Sequence, residues 1–352
     1  LEAQSLARLA GAMGGRTPSR LHCGLVVTRT PLRVSFAGGG TDFPGFYEQG
    51  EGAVLSTAID KYVYVTLKRH DALFGAPIRL NYSETEQVET VDEIRNDIAR
   101  ACFRFLAMEP PIYMSTVADI PASSGLGSSS AYCVGLLHAL HVWRGETVAA
   151  SQLAEEAAHI EIESLRRPIG KQDQYAAAFG GFNLYRFLPG GGVSVEAQRF
   201  APGVRRQLFD HLLLFWTGIG RQAPDVLAEQ RANIDAHREE LSSLKRQAWE
   251  MQEALAGNFH PETFGRALDE GWRRKRRLAS TISNRRIDGW YERALSAGAW
   301  GGKLCGAGGG GFFLFAAPPE RHPAVRAALG ELKELSIRGE PQGSRVLMPH
   351  VE

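Results

Sequence analysis

The chain has 352 residues, and 40 Lys+Arg against 39 Asp+Glu leave a formal charge of +1. That balance argues against a dedicated nucleic-acid or anionic-membrane protein, because such binders carry a strong basic bias. Hydrophobic residues are 44%, yet the apolar run Phe312-Phe313-Leu314-Phe315-Ala316-Ala317 falls far short of the ~20 residues of a membrane span. At about 150 residues per domain, the length favours two domains. The cysteines Cys23, Cys102, Cys133 and Cys305 have no paired spacing and read as reduced thiols of a cytoplasmic protein, with neither a zinc site nor a disulfide framework.

Residues 1–25 show little periodicity and no signal-peptide pattern, and read as a poorly ordered extension. From Val26 the pattern becomes legible. Leu32, Val34 and Phe36 alternate with Arg33 and Ser35, a strand signal, and run into the turn Gly38-Gly39-Gly40-Thr41-Asp42. Tyr62 to Leu67 predicts a second strand. Helices are expected over Val91 to Leu106, Ser128 to Trp143 and Ser151 to Arg166. Phe182 to Phe187 reads as a strand, and Pro189 to Gly203 as a domain boundary. A strand over Leu212 to Trp216 precedes a charged helical stretch over Ala223 to Ala256, in one or two helices. Helices follow over Glu262 to Leu278 and Ile287 to Ala297, then a buried strand over Phe312 to Phe315 and a closing helix over Ala324 to Leu335. Strands and helices mix throughout, so the fold class is α/β or α+β.

Glycine is in excess, 39 residues against a usual share of roughly 7%, and the excess is clustered. Gly125-Leu126-Gly127-Ser128-Ser129-Ser130 opens the Ser128 helix. Glycines let the backbone approach a ligand, and the helix N-terminus presents free N–H groups, which together suit a phosphate; a capped helix after a glycine turn is the plainer reading. The segment lacks the Gly-Lys-Ser/Thr of a Walker loop, and Ser130 stands where a dinucleotide fingerprint needs its third glycine. On a helical projection of about 100° per residue, Glu161 falls within the apolar arc Leu153, Ala154, Ala157, Ala158 and Ile160. A buried carboxylate needs a partner, and magnesium and an arginine are equal candidates. Gly170-Lys171-Gln172-Asp173 leads into a small-residue helix, where Asp173 is either a catalytic carboxylate or a helix N-terminal charge. Arg273 to Arg277, with Lys275 among them, form either a solvated helix face or an anion site. A last glycine run, Gly301 to Gly311, enters the strand at Phe312 and reads as a loop wrapping under a ligand or another backbone.

Taken together, Pro31 to Asp42, Pro121 to Ala131 and Lys303 to Phe312 resemble the three motifs of the GHMP small-molecule kinases, in the same order. Gly38-Gly39-Gly40-Thr41-Asp42 departs from the first motif of galactokinases. Gly170 to Asn183, Thr217 to Arg221, and Trp272 with Lys275 and Arg276 resemble the bacterial heptose 7-phosphate kinases.

The resemblance implies a two-domain fold: an N-terminal α/β domain over 26–200 and a ferredoxin-like C-terminal domain over 201–352. It implies ATP and Mg2+ as cofactors, and phosphorylation of D-glycero-D-manno-heptose 7-phosphate at its anomeric hydroxyl for nucleotide-activated heptose synthesis. A fucokinase-like 1-kinase of an unphosphorylated sugar is the alternative, and a non-catalytic sugar sensor a further one. By the same resemblance Gly125 to Ser130 hold the ATP phosphates, while Ser129 and Glu161 hold the metal. Asp173 and Arg33 are catalytic, and the acceptor meets Gly39, Gly40, Thr41, Asp42, Gln172, Arg221, Lys275, Arg276, Gly308 and Gly309. The partners are a sugar phosphate and ATP, with a homodimer left open.

Overall fold

The computed structural model describes residues 23–69, 75–220 and 223–351. The expectation for the N-terminal extension therefore falls, up to residue 22, outside the described residues, and so does the one for Arg221. In chain order come β1 (Cys23–Ala37), α1 (Pro44–Tyr47), β2 (Gly52–Arg69), β3 (Ile78–Asn81), β4 (Thr85–Val88), α2 (Asp97–Phe105), β5 (Ile112–Ala118), α3 (Ser128–Trp143), α4 (Ala150–Ala158), α5 (Gln172–Phe179), β6 (Phe182–Phe187), β7 (Val193–Ala197) and α6 (Val204–Asp210). They are followed by β8 (Leu212–Trp216), α7 (Ala223–Ala232), α8 (Arg238–Ala256), α9 (Pro261–Lys275), α10 (Arg285–Ser296), β9 (Gly301–Leu304), β10 (Phe312–Ala316), α11 (His322–Ala328), β11 (Lys333–Glu334) and β12 (Arg345–Val351).

The first sheet runs β12-β1-β2-β5-β3-β4, with β6 and β7 branching from β2. The long β2 serves two flanks: Gly52 to Thr57 pair with β6, and Val63 to Arg69 with β5. All pairings are antiparallel except β3 with β5. Helix α3 is apolar on nearly every side, with 0% exposure at Ala131, Cys133, Val134, Leu136 and Leu137, as a helix must be when the core surrounds it. It approaches β1 closely at Gly135, where a Cβ would stand 2.6 Å from the Thr30 hydroxyl.

The second sheet has the order β11-β8-β10-β9. With α7–α10 between β8 and β9 and α11 between β10 and β11, this is the ferredoxin-like arrangement that was expected. Leu212, Leu214, Phe312, Leu314 and Ala316 face the first core, whereas Leu213, Phe215, Phe313 and Phe315 pack with Trp272, Trp290 and Tyr291 in a second one. Burial on both faces explains why these strands read as unbroken apolar runs rather than alternations.

Several expected boundaries move. The Val91–Leu106 helix begins only at Asp97, because the Asn96 side chain caps it by accepting from Ala99 N–H. The Ser151–Arg166 helix ends as a wider turn over His159–Ser164 with π-helical hydrogen bonding. The 223–256 stretch is two helices, α7 and α8. The closing helix stops at Ala328, and Lys333–Glu334 pair with β8 instead. Gly301-Gly302-Lys303-Leu304 is a strand and not part of a loop. Strand β1 starts at Cys23, so Cys23, Gly24 and Leu25 are not extension. Strand β7 occupies part of the expected boundary segment, and β12 returns to pair with β1. Among the described residues no helix is long and apolar enough to cross a membrane.

Candidate active site

Strand alternation on β1 places Leu32, Val34 and Phe36 on the core side and Arg33 and Ser35 on the other. The polar side is not solvated: Arg33 is 4% and Ser35 5% exposed. Arg33 is bound on two sides. Its Nε and Nη2 donate to Asp173 Oδ1 at 2.8 and 2.7 Å, and its Nη1 donates to the Gly125 carbonyl at 2.7 Å. One side chain thus fixes both the carboxylate at the start of α5 and the glycine loop before α3.

That loop turns through left-handed conformations at Gly125 and Gly127, with φ of 92° and 78°. A Cβ at Gly127 would press on Arg33 Cγ at 3.3 Å, and Asp173 Oδ2 lies 3.6 Å from the same point. The loop is braced from the second unit, as Phe312 N–H donates to the Ser124 carbonyl at 3.1 Å. The N–H groups of Ser128 and Ser129 lie in the first turn of α3, the region of its partial positive charge.

Behind the loop Glu161 is fully buried. The π-type turn brings its carboxylate to Ser129 Oγ (2.8 Å), Ser130 Oγ (2.5 Å), Gln174 Nε2 (2.7 Å) and Arg167 Nη1 (3.1 Å), all donors. Burial pushes the carboxyl above the ordinary glutamate range, against the pull of these partners. The arginine that the sequence left open as a partner is Arg167. It also donates to Ser129 Oγ at 2.6 Å and grips both Asp97 oxygens at 3.0 and 2.9 Å. A hydroxyl and a carboxylate 2.8 Å apart are hard oxygen donors of the kind magnesium takes beside phosphate. Ser129 and Glu161 could therefore hold it, with Arg167 giving way. No group of three His, Cys, Asp or Glu side chains suited to a metal occurs among the described residues.

On the other side of Asp173 a pocket opens between the two units, lined by Arg33, Ser35, Gly39, Gly40, Asp42, Gln172, Asp173, Lys275, Lys303 and Gly306, with others. Asp42 is 2% exposed. Its Oδ1 accepts from Gly40 N–H at 3.0 Å, and its Oδ2 from the Gln172 amide side chain at 3.0 Å. Burial, then the charge of Asp173, raises its pKa. Gly170 is a glycine by necessity, since a Cβ there would stand 2.1 Å from Asp42 Oδ2.

Not every expected residue lies in this pocket. Thr41 is fully buried and locks the turn, its hydroxyl meeting the Gly38 carbonyl and Ala53 N–H. Arg276 faces away and pairs with Asp288 at 2.9 Å. Gly308 and Gly309 pack against Ile282 and Thr281 instead of lining the pocket. Lys171, in the Gly170–Asn183 segment, is held by Glu155 and the Gly191 carbonyl. Conversely, Lys303, Ser35 and Arg167 are at the site and escaped sequence reasoning. The available signal for Lys303 was a lone cation inside a buried segment.

Comparison with known proteins agrees with this architecture. The family model for the GHMP kinase N-terminal domain matches residues 90–181, and that for the GHMP kinase C-terminal domain matches residues 251–335. The chain is 33% identical over 314 residues to a D-glycero-alpha-D-manno-heptose 7-phosphate kinase of Campylobacter jejuni, covering 85% of this chain and 92% of that one. It is 27% identical to an L-fucokinase/L-fucose-1-P guanylyltransferase of Bacteroides fragilis, over 87% of this chain but 36% of that longer protein. Among solved structures, a D-glycero-D-manno-heptose 1-phosphate kinase of Bacteroides thetaiotaomicron superposes with a TM-score of 0.74 at 26% identity, over 92% of this chain and 99% of that one. The chain belongs to the GHMP kinases, and it is a sugar kinase. Members of this class use ATP as phosphate donor, generally with Mg2+.

Proposed function

We propose that this kinase transfers the γ-phosphoryl group of ATP to the anomeric hydroxyl of D-glycero-D-manno-heptose 7-phosphate, giving the 1,7-bisphosphate and ADP. The observation that carries the reading is the Arg33–Asp173 pair, bound to the Gly125 carbonyl and opening on a pocket with Asp42 and Gln172. The 33% identity to a heptose 7-phosphate kinase supports the acceptor.

In this reading the N–H groups from Gly125 to Ser130 receive the nucleotide phosphates, as helix N-termini do. Asp42 and Gln172 hold acceptor hydroxyls. Asp173 Oδ1 is taken by Arg33, so Oδ2, facing Gly127, accepts the hydrogen bond of the attacking hydroxyl. A bond forms between the anomeric oxygen and the γ-phosphorus, the bond to the β,γ-bridging oxygen breaks, and the hydroxyl proton passes toward Asp173. Arg33 offsets the charge gathering on the transferred group. Ser129 and Glu161 would hold magnesium, which, when bound, neutralises charge on the phosphate oxygens. Phosphoryl transfer needs mainly such positioning and electrostatics.

The test is ADP release from magnesium-ATP with the heptose 7-phosphate, free heptose, mannose and fucose in parallel, the product being located by phosphorus NMR. A preference for the 7-phosphate with a new anomeric phosphate is expected. Turnover confined to an unphosphorylated sugar would replace this acceptor with a fucokinase-like one.

A further inference from the structure

The pocket has a second wall that the chemistry above leaves unused. Lys303, on β9, is 7% exposed. Its Nζ donates to the Phe36 carbonyl oxygen at 3.0 Å, one bond for three N–H donors, and among the described residues no carboxylate pairs with it. Two groups beside it act in opposite senses: Cys305 favours the ammonium, and Arg33, of the same sign, disfavours it. Burial, opposed by Cys305 and reinforced by Arg33, pulls the ammonium pKa down to about 8. Uncompensated buried cations are costly and are retained where something meets them.

Two further groups share the wall. Ser35 lines the pocket from β1, two residues beyond Arg33 and on the same strand face, and its buried Oγ has no hydrogen-bond partner. Lys275 lines it from the last turn of α9, where its Nζ donates to the Gly306 carbonyl. The pocket's carboxylates do not neutralise this wall. Asp173 is held by Arg33, and Asp42 by Gly40 and Gln172. An ammonium with spare N–H groups, a second ammonium and an orphaned hydroxyl suit a tetrahedral oxyanion.

We propose that Lys303, with Ser35 and Lys275, forms a phosphate-oxyanion subsite in the acceptor pocket, separate from the glycine loop before α3. The oxyanion is either the phosphomonoester an acceptor already carries or the phosphoryl group in transit. The first source rests on the function proposed above; the second does not.

The experiment uses the full chain labelled with 13C-lysine, which has only seven lysines to resolve. Lys303 is recognised by its low titration and assigned by its loss in Lys303→Arg, which keeps the charge, and in Lys303→Met. Inorganic phosphate, heptose 7-phosphate, free heptose and magnesium-AMP-PNP are titrated in turn. An oxyanion in contact raises the Lys303 pKa. A rise with heptose 7-phosphate but not with free heptose identifies the acceptor's phosphate, and a rise with AMP-PNP identifies the transferring group. In the first case Lys303→Met raises KM for the sugar phosphate about tenfold or more with the ATP KM kept. In the second it lowers kcat with both KM values kept. Lys303→Arg restores most of either loss. If no phosphate compound moves the Lys303 titration, the subsite is refuted, and the lysine is a strut for the Phe36 carbonyl. That titration decides on the wild-type chain even where Lys303→Met fails to fold. If heptose 7-phosphate proves not to be an acceptor, inorganic phosphate and AMP-PNP still test Lys303, so the two failures are told apart.

Discussion

The Arg33 guanidinium holds the Asp173 carboxylate on one side and the Gly125 carbonyl on the other. The carboxylate proposed as catalytic and the glycine loop proposed to hold phosphate are thereby set relative to each other by one side chain, which is only 4% exposed. Replacing Asp173 by Asn keeps the shape and a hydrogen-bond acceptor for Arg33, but removes the charge. The expected result is a kcat lowered by about 10²–10⁴-fold, with ATP affinity kept, measured by steady-state kinetics beside AMP-PNP calorimetry. Near-wild-type turnover would remove Asp173 from the chemistry. A residue-scale limit of sequence reading shows at Lys275 and Arg276. Successive helical residues point about 100° apart, so the two cannot share a target. The structure turns Lys275 to the pocket and Arg276 to Asp288, a choice the string of cations does not encode.

At the scale of elements, α3 carries two histidines with opposite behaviour. His141, 1% exposed, sits between Glu146 and Glu156 at 2.6 and 2.7 Å, and these carboxylates raise its pKa against the opposing effect of burial. His138 meets Ser344, and burial, with the charge of His141, lowers its pKa to about 4. The linkage signs differ. A raised histidine pKa stabilises the fold fully below the unfolded value of about 6.5, and this contribution is lost as pH rises through the folded value. A lowered one costs stability as pH falls from about 6.5 toward 4, where only the unfolded chain takes the proton. Taken together, these two groups should give a stability maximum near pH 6.5, measurable as urea midpoints across pH. His141→Gln should remove the alkaline slope and His138→Gln the acid one, and slopes unchanged in both variants would contradict the assignment.

Elements also differ in how plainly the sequence announces them. Motif loops are legible because positive φ at Gly125 and Gly127 and a close approach at Gly38, where a Cβ would stand 1.8 Å from the Ala53 carbonyl, admit little but glycine. Strands β8 and β10 are legible because both faces are buried. Strand β9 is not, since glycines at 301 and 302 give no strand signal, although Gly302 must be small to pass the Leu314 carbonyl and the Phe315 ring. The π-type turn leaves no local mark either. The helical projection nevertheless found Glu161, because an ionisable residue on an apolar arc is anomalous in either geometry.

Across the whole molecule, the segment after β11 ties the chain together. Glu340 accepts from Arg29 and Tyr62, Ser344 N–H donates to the Ala177 carbonyl at the end of α5, and β12 pairs with β1. A Cβ at Gly343 would stand 1.9 Å from the Ala178 carbonyl, so the segment lies directly against α5, the helix with Asp173 in its first turn. Truncation after Gln342 should lower Tm by about 5 °C or more, and lower kcat with it, by scanning fluorimetry and steady-state assay. A truncated chain with full activity and unchanged Tm would make the strand dispensable.

Thr30 and Ser344, joined by a 2.8 Å hydrogen bond, are 314 positions apart. The ribosome therefore releases β1 long before the strand that covers its edge, and at about 5–20 residues per second the wait runs to some tens of seconds. Through that interval the nascent sheet presents a bare row of backbone donors and acceptors, the arrangement that recruits foreign strands. The ferredoxin-like unit emerges in the meantime and folds tethered to an unfinished neighbour. Protection of one strand edge during translation is thus a requirement written into the topology of this kinase.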